Sequence, residues 1–97
     1  MAYRIIITQD IKKQIADLPG HIKAIARQQI ARLASEPRPP RSKELEGHLG
    51  HYRLHLSNDY RLVWLVSDED QFVEIEYVGF KIPDLYSQLG LGRPEDN

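Results

Sequence analysis

Apolar residues recur along this chain at two different spacings, and the change from one to the other divides it. Residues 3–7, YRIII, are aromatic and β-branched, a composition that predicts a strand. Thr8 follows as a candidate N-cap for QDIKKQIADL, where Ile11, Ile15 and Leu18 repeat at helical intervals until Pro19-Gly20 interrupts them. In residues 21–35 the positions Ile22, Ile25, Ala26, Ile30 and Leu33 form one stripe, with Lys23, Arg27 and Arg32 away from it. Two helices joined by a tight link predict an antiparallel hairpin packed through its stripes.

Residues 36–47, EPRPPRSKELEG, break the pattern. Three prolines in four positions favour an extended connector, which carries Arg38, Arg41 and Lys43. The spacing then shortens to two and predicts three strands, at about 51–57, 59–66 and 72–79. Turn-forming Ser57-Asn58-Asp59 and Ser67 to Gln71 join them as a meander. Pro83 is expected at the first position of a short helix, with Gly90 just past its end and residues 91–97 as a frayed tail. The order β-α-α-β-β-β predicts an α+β fold, with the helical hairpin on one face of a twisted antiparallel sheet and the other face open.

Alternation fixes what that open face carries. If the hairpin closes through Ser57-Asn58-Asp59, Leu56 pairs with Tyr60, Leu54 with Leu62 and Tyr52 with Trp64, all facing the helices. His55 then lies opposite Arg61, and Arg53 opposite Val63, on the far side. Gathering cations costs tenths of a kcal/mol to about 1 kcal/mol. Two readings follow. The cations grip a phosphate, which arginine holds bidentately, or they pair with Glu74 and Glu76 in a cross-strand ladder.

The 97 residues suit a single domain, 1–97. No apolar run approaches the roughly 20 residues of a bilayer span, and the N-terminus has no signal-peptide pattern. Cysteine is absent, which excludes disulfides, thiolate catalysis and Cys-based zinc sites. His21, His48 and His51 show no metal-ligand spacing. A cytoplasmic protein with no cofactor, no metal and no membrane is therefore expected. The net charge of −1 conceals an asymmetry: residues 1–61 carry 11 Lys/Arg against 6 Asp/Glu, and residues 62–97 carry 2 against 8. A basic segment of that kind suits a polyanion, or else the two halves pair with each other.

The run ELEGHLGHYRLHLSNDYRLVWLV, followed by VEIEYVGFKIPDLY, resembles the RelE/ParE superfamily of bacterial toxin–antitoxin toxins. The likeness rests on Leu45 and Gly47, on the two Tyr-Arg pairs with Trp64, and on Gly79, Lys81 and Tyr86 in that order. It lies nearer the RelE branch, whose members cut messenger RNA in the ribosomal A site without a metal. The 2′-hydroxyl attacks the adjacent phosphate, leaving a 2′,3′-cyclic phosphate and a 5′-hydroxyl. Carried over by position, the resemblance implies a catalytic set of Arg61, Lys81, Tyr86, His55 and Arg53. Arg61 and Lys81, with Arg53 alongside, would stabilise the phosphate. Tyr86 would orient or deprotonate the 2′-hydroxyl, stack on a base, or merely pack. His55, whose ordinary pKa is roughly 6.5, is either a proton shuttle or a neutral surface residue.

Arg38, Arg41, Lys43 and Arg53 are the expected RNA-binding residues. The implied partners are a cognate antitoxin, the ribosome and its mRNA, with operator DNA reached through the antitoxin. The rival readings are a ParE-like inhibitor of DNA gyrase and a weakly active or inactive module that only binds an antitoxin.

Overall fold

Thr8 starts the first helix as expected: its side chain accepts a hydrogen bond from the Ile11 N–H at 3.4 Å. The computed structural model describes residues 2–90. Strand β1 (Arg4–Ile6) leads into helices α1 (Gln9–Ala16) and α2 (Gly20–Arg32). Strands β2 (Lys43–Glu44), β3 (His51–His55), β4 (Tyr60–Ser67) and β5 (Phe72–Phe80) follow, then the short helix α3 (Leu85–Gln88). The tail predicted at 91–97 lies outside the described residues. No described helix is long and apolar enough to cross a membrane.

The five strands lie in the order β1-β5-β4-β3-β2. The expected meander is present, and the sheet differs from the wholly antiparallel expectation in one pairing: β1 joins β5 in parallel, Ile5 beside Val73. The long path through both helices lets the chain return in either direction, so sequence order does not decide that pairing. The connector also contributes a strand, β2, whose Lys43 and Glu44 pair with Arg53 and Tyr52. Two residues are too few to show alternation, which is why the pattern concealed it.

The β3–β4 register is the predicted one, with Tyr52 opposite Trp64, Leu54 opposite Leu62 and His55 opposite Arg61. The main core joins Ile11, Ile15, Ile22, Ala26, Ile30 and Leu33 of the helical hairpin to Leu54, Leu62, Trp64, Val73, Ile75 and Val78 of the sheet. Trp64 is 0% exposed, and its indole N–H donates to the Pro37 carbonyl at 2.9 Å. Tyr52 stacks on it with ring centroids 6.1 Å apart. The proline-rich connector is thereby fastened to the core.

Alternation fails at one place in β5. Val63 pairs with Tyr77 but Trp64 pairs with Ile75, so Glu76 is the extra residue of a β-bulge. Val73 and Ile75 before the bulge, and Val78 after it, all face the helices. Tyr77 is turned to the opposite face, where it packs on Val63 and Leu45 together with Tyr86 and Leu89. The face expected to stay open is therefore partly roofed by α3. That helix begins at Leu85 behind Asp84, not at Pro83, and Gly90 follows its end at φ 77°.

Replacing Trp64 by Phe keeps an aromatic ring but strands the Pro37 carbonyl. It should cost about 2 kcal/mol of stability. Urea denaturation would show a lower midpoint at an unchanged slope.

Candidate functional site

The turn between β3 and β4 builds the site from its backbone. Leu56 N–H donates to the Tyr60 carbonyl at 2.9 Å, which closes the hairpin with Ser57, Asn58 and Asp59 at its tip. Arg61 folds back onto this tip: its Nη1 donates to the carbonyls of Ser57 and Asn58 at 3.0 Å and of Tyr60 at 3.2 Å. Nη2 and Nε keep their donors, with no acceptor among the described residues. The same tip holds the next cation in place, because Lys81 N–H donates to the Asp59 carbonyl at 2.7 Å.

Tyr77 secures the approach to Lys81 from the other side. Its hydroxyl donates to the Phe80 carbonyl at 2.6 Å, passing across Gly79. A Cβ at Gly79 would stand 2.9 Å from that hydroxyl, so only glycine leaves the path clear. Gly79 also lies directly opposite Arg61 in the ladder.

Arg61, Lys81 and Tyr86 line one open cleft of about 480 Å³, together with Asp84, Leu85 and Ser87. Sequence reasoning missed Asp84 as a lining residue; its left-handed backbone, φ 61°, is permitted by a short polar side chain and is invisible in a hydrophobic pattern. Burial among Leu45 and Val63 raises the pKa of the Tyr86 phenol above its ordinary value, and Arg53 and Arg61 oppose that rise. The phenol stays protonated at neutral pH. Tyr86 packs on the second core and lies within electrostatic reach of Arg53 and Arg61.

His55 stands where the positive charges meet. Arg53 Nη1 lies 2.8 Å from His55 Nε2. A guanidinium can only donate, so Nε2 must accept and the imidazole is neutral with its proton on Nδ1. Partial burial of the ring, and then Arg61, Arg53, Lys81 and Lys43, push its pKa below the ordinary value. All four cations are thus within electrostatic reach of one imidazole.

The cross-strand ladder does not form. Glu76 sits in the bulge and bonds His51 Nδ1 at 2.9 Å, while Glu74 pairs in register with Leu65. Neither Arg53 nor Arg61 has a carboxylate partner among the described residues.

The expected RNA-binding residues divide. Lys43 is opposite Arg53, and Arg41 lines a hollow beside His55. Arg38 stands apart: it grips Asp68 with both ends of its fork at 3.2 and 2.8 Å and donates to the Tyr52 hydroxyl at 2.8 Å. Asp68, whose pKa these bonds from Arg38 and Tyr3 lower, neutralises it. Arg38 therefore clamps the connector to a partner thirty residues away in sequence. Among the described residues, no group of three or more His, Cys, Asp or Glu side chains could hold a metal ion.

Comparison with known proteins places this arrangement in context. No protein-family model and no curated protein sequence matches the chain. Solved structures do. The archaeal RelE–RelB complex from Pyrococcus horikoshii matches at 27% identity and TM-score 0.71, over 82% of this chain and 96% of that one. The intact E. coli RelBE toxin–antitoxin complex matches at 27% identity and TM-score 0.71, over 84% and 99%. A YoeB/ParE toxin from Agrobacterium tumefaciens shares the fold at TM-score 0.68 and 16% identity, over 81% and 99%.

By NMR, His55 should titrate below roughly 6.5, and Arg53→Ala should raise its midpoint without fully restoring it, since burial remains. The folded form binds fewer protons than the unfolded chain in that interval. The stability His55 contributes is therefore present above the ordinary histidine pKa and lost as pH falls through its folded value. Urea midpoints measured on either side of pH 6 should show this acid loss in the wild type and a smaller one in His55→Gln.

Proposed function

The chain has the fold of the RelE/ParE toxin superfamily, and from that premise we propose that it is the toxin of a toxin–antitoxin module, a ribosome-dependent mRNA endonuclease acting in the cytoplasm. The observation that carries this reading is a set of cations with no carboxylate partner among the described residues, Arg53, Arg61 and Lys81, around a neutral His55 and a protonated Tyr86. A gyrase-binding surface has no need of an imidazole held in its neutral form.

The proposed reaction is transfer of a phosphodiester to its own 2′-oxygen. His55 Nε2, once released by Arg53, takes the 2′-hydroxyl proton as a general base. The 2′-oxygen bonds to phosphorus, the bond from phosphorus to the 5′-oxygen breaks, and Lys81 supplies the proton to that leaving oxygen. Arg61 and Arg53 bear on the non-bridging oxygens, where charge grows in the transition state. Arg61 needs little reorganisation, because three backbone carbonyls already hold one end of its fork. Tyr86 orients the ribose hydroxyl; burial makes it a poor base but a reliable donor. No step needs a metal.

The partner that silences such a toxin is proposed to be a cognate antitoxin, as in the complexes that share this fold. The roof over the site is only four residues long and rests on Leu85, Tyr86 and Leu89. An inserted segment could displace it or cover the cations directly. The overall charge of −1 suits this division, because the acidic surplus lies in residues 62–97 and the site draws three of its four cations from residues 43–61.

Induction should arrest growth, and primer extension should reveal new cuts in translated mRNA. With purified ribosomes, Arg61→Ala or Lys81→Ala should slow cleavage by roughly 10²–10³-fold. Arrest with intact mRNA and halted supercoiling would instead make the chain a gyrase poison. An inert protein, unaltered by Arg61→Ala, would leave only an antitoxin-binding module.

A further inference from the structure

A second hollow, about 330 Å³ in volume, opens at the outer edge of β3 and shares His55 with the candidate site. It exists because the sheet is incomplete there. β2 ends at Lys43, opposite Arg53, while β3 continues to His55, so no strand lies beside the last residues of β3. The His51 carbonyl accepts from Leu45 N–H across this edge at 2.8 Å. By the alternation of an antiparallel strand, the peptide groups of His55 point the same way, with no strand to receive them.

The walls of the hollow have a mixed chemistry. Ile25 of α2, Pro39 and Pro40 supply flat apolar surface, and Gln29, Arg41 and His55 supply polar groups. No carboxylate lines it. Arg32, at its rim, is paired with Glu36 at 2.8 Å, whereas Arg41 has no acidic partner among the described residues. A flat apolar wall, an amide that both donates and accepts, an unpaired strand edge and one free guanidinium are what an unstacked nucleotide requires. A duplex, with its base edges buried in pairs, could not use them.

We propose that this hollow seats the nucleotide of single-stranded RNA next to the one that carries the attacked phosphate. Its base lies against Ile25 and the two prolines, Gln29 and the β3 edge read the base edge, and Arg41 holds its phosphate. The inference rests on the ribonuclease reading above and adds a subsite that selects the base beside the cut. His55, which lines the hollow and meets Arg53 of the candidate site, marks the point where the strand passes from one to the other.

The test uses the full-length chain and a short single-stranded RNA with 2′-O-methyl riboses, which can bind but cannot be cut. Fluorescence anisotropy should show Arg41→Ala weakening binding by about 10-fold and reducing the salt slope by about 0.7. Lys13→Ala, which removes an equal charge from α1, should do neither. Gln29→Leu should change the preferred base beside the cut by several-fold, read from primer-extension profiles and from oligonucleotides varied at that position. The proposal is overturned if Arg41→Ala and Lys13→Ala behave alike, if Gln29→Leu keeps the wild-type preference, or if the wild type does not bind the oligonucleotide. Amide shifts around Ile25, Gln29 and His55 that respond only to a partner protein would also overturn it, in favour of protein docking. A wild type that binds the oligonucleotide through Arg41 and Gln29 yet never cuts mRNA would sink the ribonuclease reading alone.

Discussion

The pairing of β3 with β4 in a single register is the constraint on which the rest depends. It sends Leu54, Leu62 and Trp64 to the helices and Arg53, His55 and Arg61 to the other side. Each large apolar side chain gains about 2 kcal/mol by burial, while the gathered cations lose at most about 1 kcal/mol per opposed pair. Burial therefore wins, and the repulsion is tolerated as its consequence. Trp64 makes a slip harder still, since its N–H meets the Pro37 carbonyl only in this register.

What turns a row of cations into a prepared site is backbone, not other side chains. The hairpin tip anchors Arg61 through three carbonyls and Lys81 through one N–H. Gly79 and Tyr77 then hold the strand end that carries Lys81. Dipoles of this kind position charge without neutralising it, so the face keeps its attraction for a phosphate. The bulge at Glu76 has the complementary effect: its carboxylate pairs with His51 and with neither Arg53 nor Arg61.

The acidic residues are spent elsewhere as well. Asp68 holds the proline-rich connector through Arg38 and meets the hydroxyl of Tyr3 at 2.6 Å. Glu44 accepts from Gly50 N–H at 2.8 Å and shapes the loop before β3. Internal pairing thus does occur, but it consumes cations that are not part of the site. Of the two alternatives raised by the charge asymmetry, self-pairing is seen where Arg38 meets Asp68, while Arg53 and Arg61 have no carboxylate partner among the described residues.

Local pattern was enough for the helical hairpin, the Thr8 cap, the register of β3 on β4, and the side of the sheet on which Arg53, His55 and Arg61 stand. Those features follow from period and burial, which are written in neighbouring residues. The parallel seat of β1, the two-residue β2, the bulge at Glu76 and the clamp on Arg38 were decided only in three dimensions. Each depends on a partner distant in sequence, and a periodic pattern carries no record of which distant group will arrive. The same holds for His55: the sequence determined that an imidazole would lie among cations, but only the folded chain decided how far burial and the approach of Arg61, Arg53, Lys81 and Lys43 favour its neutral form.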